Sequence, residues 1–399
     1  MSADPTGAEW PPVVDGSTTD IVELGRRREE SWIARSPRGL EIYRYEEGSE
    51  LLRDPRFTKA ESWLYRLDAL GITEGPVRES WERNLTSIEG EDRLRLRRSL
   101  SALLAPKQMR ALQDDIRAII EKLLDNIDDL SHVDAIESIL WRLPALVYCR
   151  LVAAPESEAA NVARFSDSIL GPLFTVNLDR RHEHEDAHAE ATEWAREQIA
   201  AKRTHLGDDF TSAMIRQQQA GTITEEELVQ EVLILLTGSV DNTQNQAGLI
   251  LGTLLEEPGR WQQLVENPAL IPTAIEETFR MRPRFGTIFR QATTDLDLNG
   301  VDVKQGTFVF VSVRAAHRDP RAFDDPERFV IDREPKQALM FGNGLYRCLG
   351  QHLARIEFVE LLDAMTRRYP DARLIGDWTR HDADAVTEVH RLEMELANA

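Results

Sequence analysis

Residues 341–350 read FGNGLYRCLG, which sets Cys348, one of only two cysteines in the chain, in a loop punctuated by Gly342, Gly344 and Gly350. Glycine is used where backbone turns tightly or where another group must lie against it. A dinucleotide fingerprint needs a third glycine three places after Gly344, where Arg347 stands, so that reading fails. A catalytic thiol needs a neighbouring base, and spacing identifies none. A thiolate metal ligand needs an apolar, glycine-lined pocket with donors that keep the sulfur anionic, and this loop suits that need. The other cysteine, Cys149 in LPALVYCRLV, reads as a small core hydrophobe.

Working outward, 399 residues carry 69 Asp and Glu against 48 Lys and Arg, a formal net charge of -21. That balance argues against a nucleic-acid partner and against an anionic membrane surface. The first twenty residues lack the basic start and apolar run of a signal peptide. The longest apolar runs, VLILL and GLILG, are too short to span a bilayer. Two cysteines far apart in sequence fit a reducing compartment, so a cytoplasmic protein with no membrane association is expected.

Residues 1–30, polar and dotted with proline, read as a flexible N-terminal arm, and 31–399 as a single domain. Apolar residues at three- and four-residue steps predict helices in QMRALQDDIRAIIEKLLDNI, VARFSDSILGPLF, HAEATEWAREQIAAKR and QHLARIEFVELLDAMTRRY. A longer helix begins near Thr224, where Thr224 and Glu227 make a capping box, and extends to about Leu255. Strand signals are LEIYRY and TDLDLNGVDVKQGTFVFVSV, the latter with an Asn-Gly hairpin turn. The expected fold is mainly α with a small β portion.

With the motifs in place, FGNGLYRCLGQHLAR resembles the haem-binding loop of bacterial soluble cytochromes P450, with Phe341, Gly342, Gly344, Cys348 and Gly350 in the family's places. The resemblance implies a cytochrome P450 fold and a b-type haem whose iron takes Cys348 as axial ligand, the thiolate favouring O–O cleavage. It extends along most of the chain. EETFR supplies Glu277 and Arg280, and AAHRDPRAFDDPERFVIDRE supplies Phe329 and Arg333; the resemblance implies a structural network of Glu277, Arg280 and Arg333 beneath the haem. DRLRLRRSLSALLAP places Arg93 where a histidine is common and Arg97 at the usual arginine, while Arg290 matches a third propionate arginine. Two residues depart from the pattern. Tyr346 and Ala338 stand where histidines are common, and the Tyr346 hydroxyl is expected to donate to a propionate.

In the long helix, LLTGSVDNTQNQAG interrupts an apolar stretch with Asp241 and Asn242. Matched to the family's oxygen-handling site, Asp241 is the acid, Asn242 takes the usual threonine position, Thr243 is the second threonine, and Gly238 and Ser239 are the small residues. Substrate contacts are expected from Trp81, Leu85, Leu236, Val240, Phe285, Thr287 and Ile288, groups that suit a small, mainly apolar organic molecule. The resemblance then implies a monooxygenase with O2 as co-substrate. Electrons are expected from NAD(P)H through a ferredoxin and its reductase, since little chain follows the haem helix. Arg98, Lys107, Arg110 and Arg347 are candidates for the docking patch, and a monomer is expected. Two other readings stay open: a haem-based sensor or carrier, and a zinc protease through His184, Glu185 and His188 of HEHEDAH, with Asp208 as a third ligand. The polar surroundings of HEHEDAH favour a solvated helix over a dry metal site.

Overall fold

The long helix forms where its N-terminal chemistry dictates. In the computed structural model, which describes residues 10–59 and 61–396, it runs Glu225–Leu255. Thr224 Oγ1 accepts from the Glu227 backbone N–H at 3.1 Å, and Glu227 returns a carboxylate oxygen to the Thr224 N–H at 2.8 Å. Its length, about 45 Å, carries it across the molecule. The helices Leu143–Val152, Ala159–Thr175 and Arg181–Arg203 pack against it. The helix Gln351–Arg368, which follows the cysteine loop, packs against Gln113–Asp125 and Ile271–Met281. One continuous apolar cluster joins these elements.

The β portion positions one flank of the site. Five strands lie in the order Ile33–Ser36, Gly39–Ile42, Phe308–Ser312, Thr287–Ala292, Phe57–Thr58. All pairs are antiparallel except Gly39–Ile42 with Phe308–Ser312. Arg290 faces Val309 across this sheet. The expected hairpin is present: Leu296–Leu298 pairs with Val301–Val303 through Asn299 and Gly300, both at positive φ.

Three sequence expectations are corrected. Residues 21–30, assigned to an arm, form a helix capped by Asp20, which accepts from Val22 N. Arg28 then anchors that helix by donating to Ala315 O at 3.0 Å, while residues 1–9 lie outside the described residues. The segment QMRALQDDIRAIIEKLLDNI is two helices, Pro106–Arg110 and Gln113–Asp125. LEIYRY yields a strand only through Ile42, because Tyr45 already opens the helix Tyr45–Arg53. Among the described residues no helix is long and apolar enough to cross a membrane.

Candidate active site

The cysteine loop is wound as tightly as its glycines suggest. Gly342 and Gly344 both sit at positive φ, 68° and 61°. A Cβ on Gly344 would meet Arg53 Cα at 3.0 Å, so only glycine lets the loop lie on the helix Tyr45–Arg53. The Cys348 N–H donates to Phe341 O at 2.8 Å and closes the loop. Phe341 is gripped between Phe279, edge-on at 5.3 Å, and the Arg355 guanidinium at 4.7 Å. Burial raises the thiol pKa, against the backbone N–H groups of Gly350 and Gln351 and the charges of Lys59 and Arg355, which favour thiolate. Cys348 nevertheless retains accessible surface, and that surface belongs to a cavity of about 340 Å³.

Seven cations line the same cavity, and four of them, Lys59, Arg93, Arg97 and Arg290, lie near one another. Arg93 and Arg290 lie over the Tyr346 ring, at 4.2 and 4.8 Å. The Tyr346 hydroxyl, expected to donate to a propionate, donates to Glu89 at 2.6 Å. Arg97 donates to Arg347 O at 2.7 Å, and Arg93 to Leu345 O at 3.2 Å. Burial, with Arg290 and Arg93 nearby, lowers Lys59 to about 8. Burial likewise lowers Arg290 to about 10, and its Nη2 is buried without an acceptor among the described residues. Cations gathered in a buried wall with an orphaned guanidinium nitrogen call for an anionic ligand. A haem, with two carboxylates and an iron seeking a thiolate, fits this set of residues.

The long helix supplies another wall through Ile234, Leu235, Thr237, Gly238, Ser239, Asn242, Thr243 and Gln246. These repeat at three- and four-residue steps, as one helical face must. Leu236 and Val240, expected in the pocket, are instead buried in the core, because their phase points away from that face. Asn242 Nδ2 donates to Gly238 O at 3.2 Å, and its Oδ1 is buried without a partner among the described residues. Asp241 does not line the cavity. Its carboxylate receives Arg284 Nη2 at 2.6 Å and Asn245 Nδ2 at 3.0 Å. Arg284 is almost wholly buried and itself forms cavity wall, its Nη1 donating to Thr387 O at 2.7 Å. The expected residues Trp81, Leu85, Phe285, Thr287 and Ile288 all line the cavity.

Comparison with known proteins agrees with this geometry. The family described as Cytochrome P450 matches residues 148–370. Luteothin monooxygenase of Streptomyces thioluteus is 33% identical over 91% of this chain and 90% of its own length. The chain belongs to the cytochrome P450 family. Nocardicin C N-oxygenase of Nocardia uniformis subsp. tsuyamanensis is 30% identical over 84% of this P450 and 82% of its own length. The crystal structure of CalO2 shares the fold, with a TM-score of 0.87 at 23% identity, covering 94% of this chain and 95% of that one. This P450 is therefore a monooxygenase that uses haem, O2 and electrons from redox partners.

The remaining sequence expectations find their places in this P450. Arg280 donates to Glu277 through Nε at 2.7 Å and Nη2 at 2.8 Å, and Arg333 Nε reaches the same carboxylate at 3.2 Å. Arg280 also donates to His317 O and Pro326 O, so the network ties three segments together. His184 and His188 do not lie on a solvated face: both are buried, His184 Nδ1 being 2.7 Å from Ile169 O and His188 Nε2 3.0 Å from Ser80 Oγ. Glu185 pairs with Arg181, and among the described residues no group of three or more His, Cys, Asp or Glu could hold a metal ion.

Sequence reasoning missed Lys59, Trp63, Arg66, Phe174, Arg284 and Glu357, all of them cavity wall. Arg66 lies in the helix Glu61–Ala69 and donates to Leu173 O at 2.9 Å and Phe174 O at 3.2 Å. It thereby fastens that helix to the last turn of Ala159–Thr175. Only Arg284 left a usable signal, as an arginine between Pro283 and Phe285 in a segment already expected to touch substrate.

Proposed function

We propose that this P450 binds one b-type haem through Cys348 Sγ and inserts one oxygen atom of O2 into a small, mainly apolar molecule held in the cavity. The observation that carries the reading is the convergence of an accessible cysteine and the group Lys59, Arg93, Arg97 and Arg290 on a single cavity, with Arg93 Nε and Arg290 Nη2 unpaired among the described residues. Lys59, Arg93, Arg97 and Arg290 would hold the propionates, while Phe341, Gly342 and Gly350 leave room beside the sulfur. When bound, the haem supplies the site at which O2 is reduced and cleaved.

The residues of the long helix manage water and protons. Asn242 Oδ1 is placed to accept a hydrogen bond from a water or a substrate hydroxyl. Asp241 is the proton source, and it acts by exchanging its contact with Arg284 Nη2 for that water. Thr243 completes this stretch of wall. Electrons come from NAD(P)H through a ferredoxin and its reductase, at a patch containing Arg98, Lys107, Arg110 and Arg347. The protein is read as a cytoplasmic monomer, folded as one domain after its N-terminal segment.

Cys348→Ser tests the reading. The variant should lose the red-shifted ferrous–CO absorption of thiolate haem together with oxygenase turnover. Retention of both would overturn the assignment.

A further inference from the structure

Part of the cavity wall is a chain of aromatic rings contributed by four separate segments. Trp81 lies 5.2 Å from Trp63 between ring centroids, Trp63 lies 5.8 Å from Phe174, and Phe174 lies 6.1 Å from Phe285. All four residues line the cavity. These spacings fall in the range of attractive ring pairs, so a further ring inserted along the chain would meet the same geometry. The Arg284 guanidinium stands 5.1 Å above Phe174, its charge offset by Asp241.

The indole nitrogens add a second, independent observation. Trp194, Trp261 and Trp378 each donate their N–H, to Glu158, Tyr369 O and Glu256 respectively. The N–H groups of Trp63 and Trp81 are buried and have no acceptor among the described residues. Buried indoles ordinarily find a partner, and an orphaned donor is costly. If these rings were only core packing, leucine or phenylalanine would fill the space without that cost. An acceptor carried by the ligand removes it.

We propose that the substrate is a planar, π-conjugated molecule bearing a neutral acceptor oxygen, a carbonyl or an ether. Its conjugated part lies along Trp81, Trp63, Phe174 and Phe285, and its oxygen accepts from an indole N–H of Trp63 or Trp81. The inference rests on the reading that this cavity is the substrate site and names the class of molecule it takes.

Three probes separate the two contributions: 4-phenylbutan-2-one, its saturated-ring counterpart 4-cyclohexylbutan-2-one, and butylbenzene, which keeps the ring and lacks the acceptor. Dissociation constants are measured by calorimetry on the haem-loaded protein and on the double variant Trp63→Phe/Trp81→Phe, which keeps rings and deletes both donors. In the unaltered protein the phenyl ketone should bind roughly 3-fold or more tighter than the cyclohexyl ketone, although the saturated ring is the more hydrophobic. In the double variant the phenyl ketone should weaken by about 10-fold while butylbenzene changes by no more than about 2-fold. Equal or tighter binding of the cyclohexyl ketone, or an equal loss for ketone and hydrocarbon, overturns the proposal. The ferrous–CO spectrum of the same samples keeps the tests apart. A thiolate-type band with no discrimination among probes refutes the substrate class alone, and absence of the band refutes the reading beneath it.

Discussion

Asn242 offers an amide where the family pattern has a hydroxyl. Its Oδ1 accepts and its Nδ2 donates, but the amide does not titrate, so it positions a proton carrier without becoming one. Asp241 carries a carboxylate, yet it is held by Arg284 and Asn245 and lies behind the wall. Asp241→Asn should therefore slow oxygen activation by roughly 10²-fold or more, the scale of losing a proton-transfer group. Asn242→Ala should cost less rate and chiefly change regioselectivity or hydrogen peroxide release. Product formed per NAD(P)H consumed, with released peroxide, measures both; a slower Asn242→Ala than Asp241→Asn would reverse the roles. Arg290 carries the opposite kind of prediction. Its buried charge forms no ion pair among the described residues, so Arg290→Leu should raise the melting temperature of haem-free protein. The same change should weaken haem retention by about 2–4 kcal/mol, the scale of a lost charged hydrogen bond in a buried pair. Thermal melts with and without haem decide it, and a variant that loses stability in both states contradicts the assignment.

Two helices carry buried carboxyls that no hydrogen bond explains. Glu231 in the long helix and Glu357 in the helix Gln351–Arg368 are pushed up to about 8 by burial. Between about pH 4.5 and 8 the folded protein keeps protons that the unfolded chain has released, so stability is greatest below that window and falls as pH rises through it. Glu231→Gln and Glu357→Gln should each flatten the decline in melting temperature from pH 5 to 8; unchanged slopes would mean that both carboxyls are ionised in the fold. These helices also show how far the sequence could be read. Thr224 and Glu227 marked the start of the long helix to the residue, because a capping box is local chemistry. The choice of face was not local. Leu236 and Val240 fit an apolar wall as well as Leu235 and Gly238 do, and only the position of the cysteine loop separates them. Cys348, Arg97 and Arg290 were named through the family resemblance and all line the cavity, whereas Lys59, Trp63 and Phe174 reach it through folding contacts between distant segments. Arg284 and Asp241, 43 residues apart, met only in the folded chain.

Across the whole molecule, a net charge of -21 makes the surface around the cysteine loop an exception. Arg98, Lys107, Arg110 and Arg347 are exposed, and Arg110 and Arg347 sit close enough to His352 to lower its pKa. Reversing Lys107 and Arg110 to glutamate should slow electron transfer from an acidic redox partner and weaken its dependence on ionic strength, since rim charges act mainly on encounter. Stopped-flow reduction across a salt series measures this, and unchanged rates would move the docking face elsewhere. A different limit on turnover follows from Arg66. Its two hydrogen bonds, with the tilted ring contact of Trp63 and Phe174, join the helices Glu61–Ala69 and Ala159–Thr175 at the cavity wall. Where a molecule leaves between these helices, the fastening must open first, and the residence time of product becomes a property of Arg66. Such a clasp lets a weakly held molecule stay long enough to react, at the expense of a slower cycle.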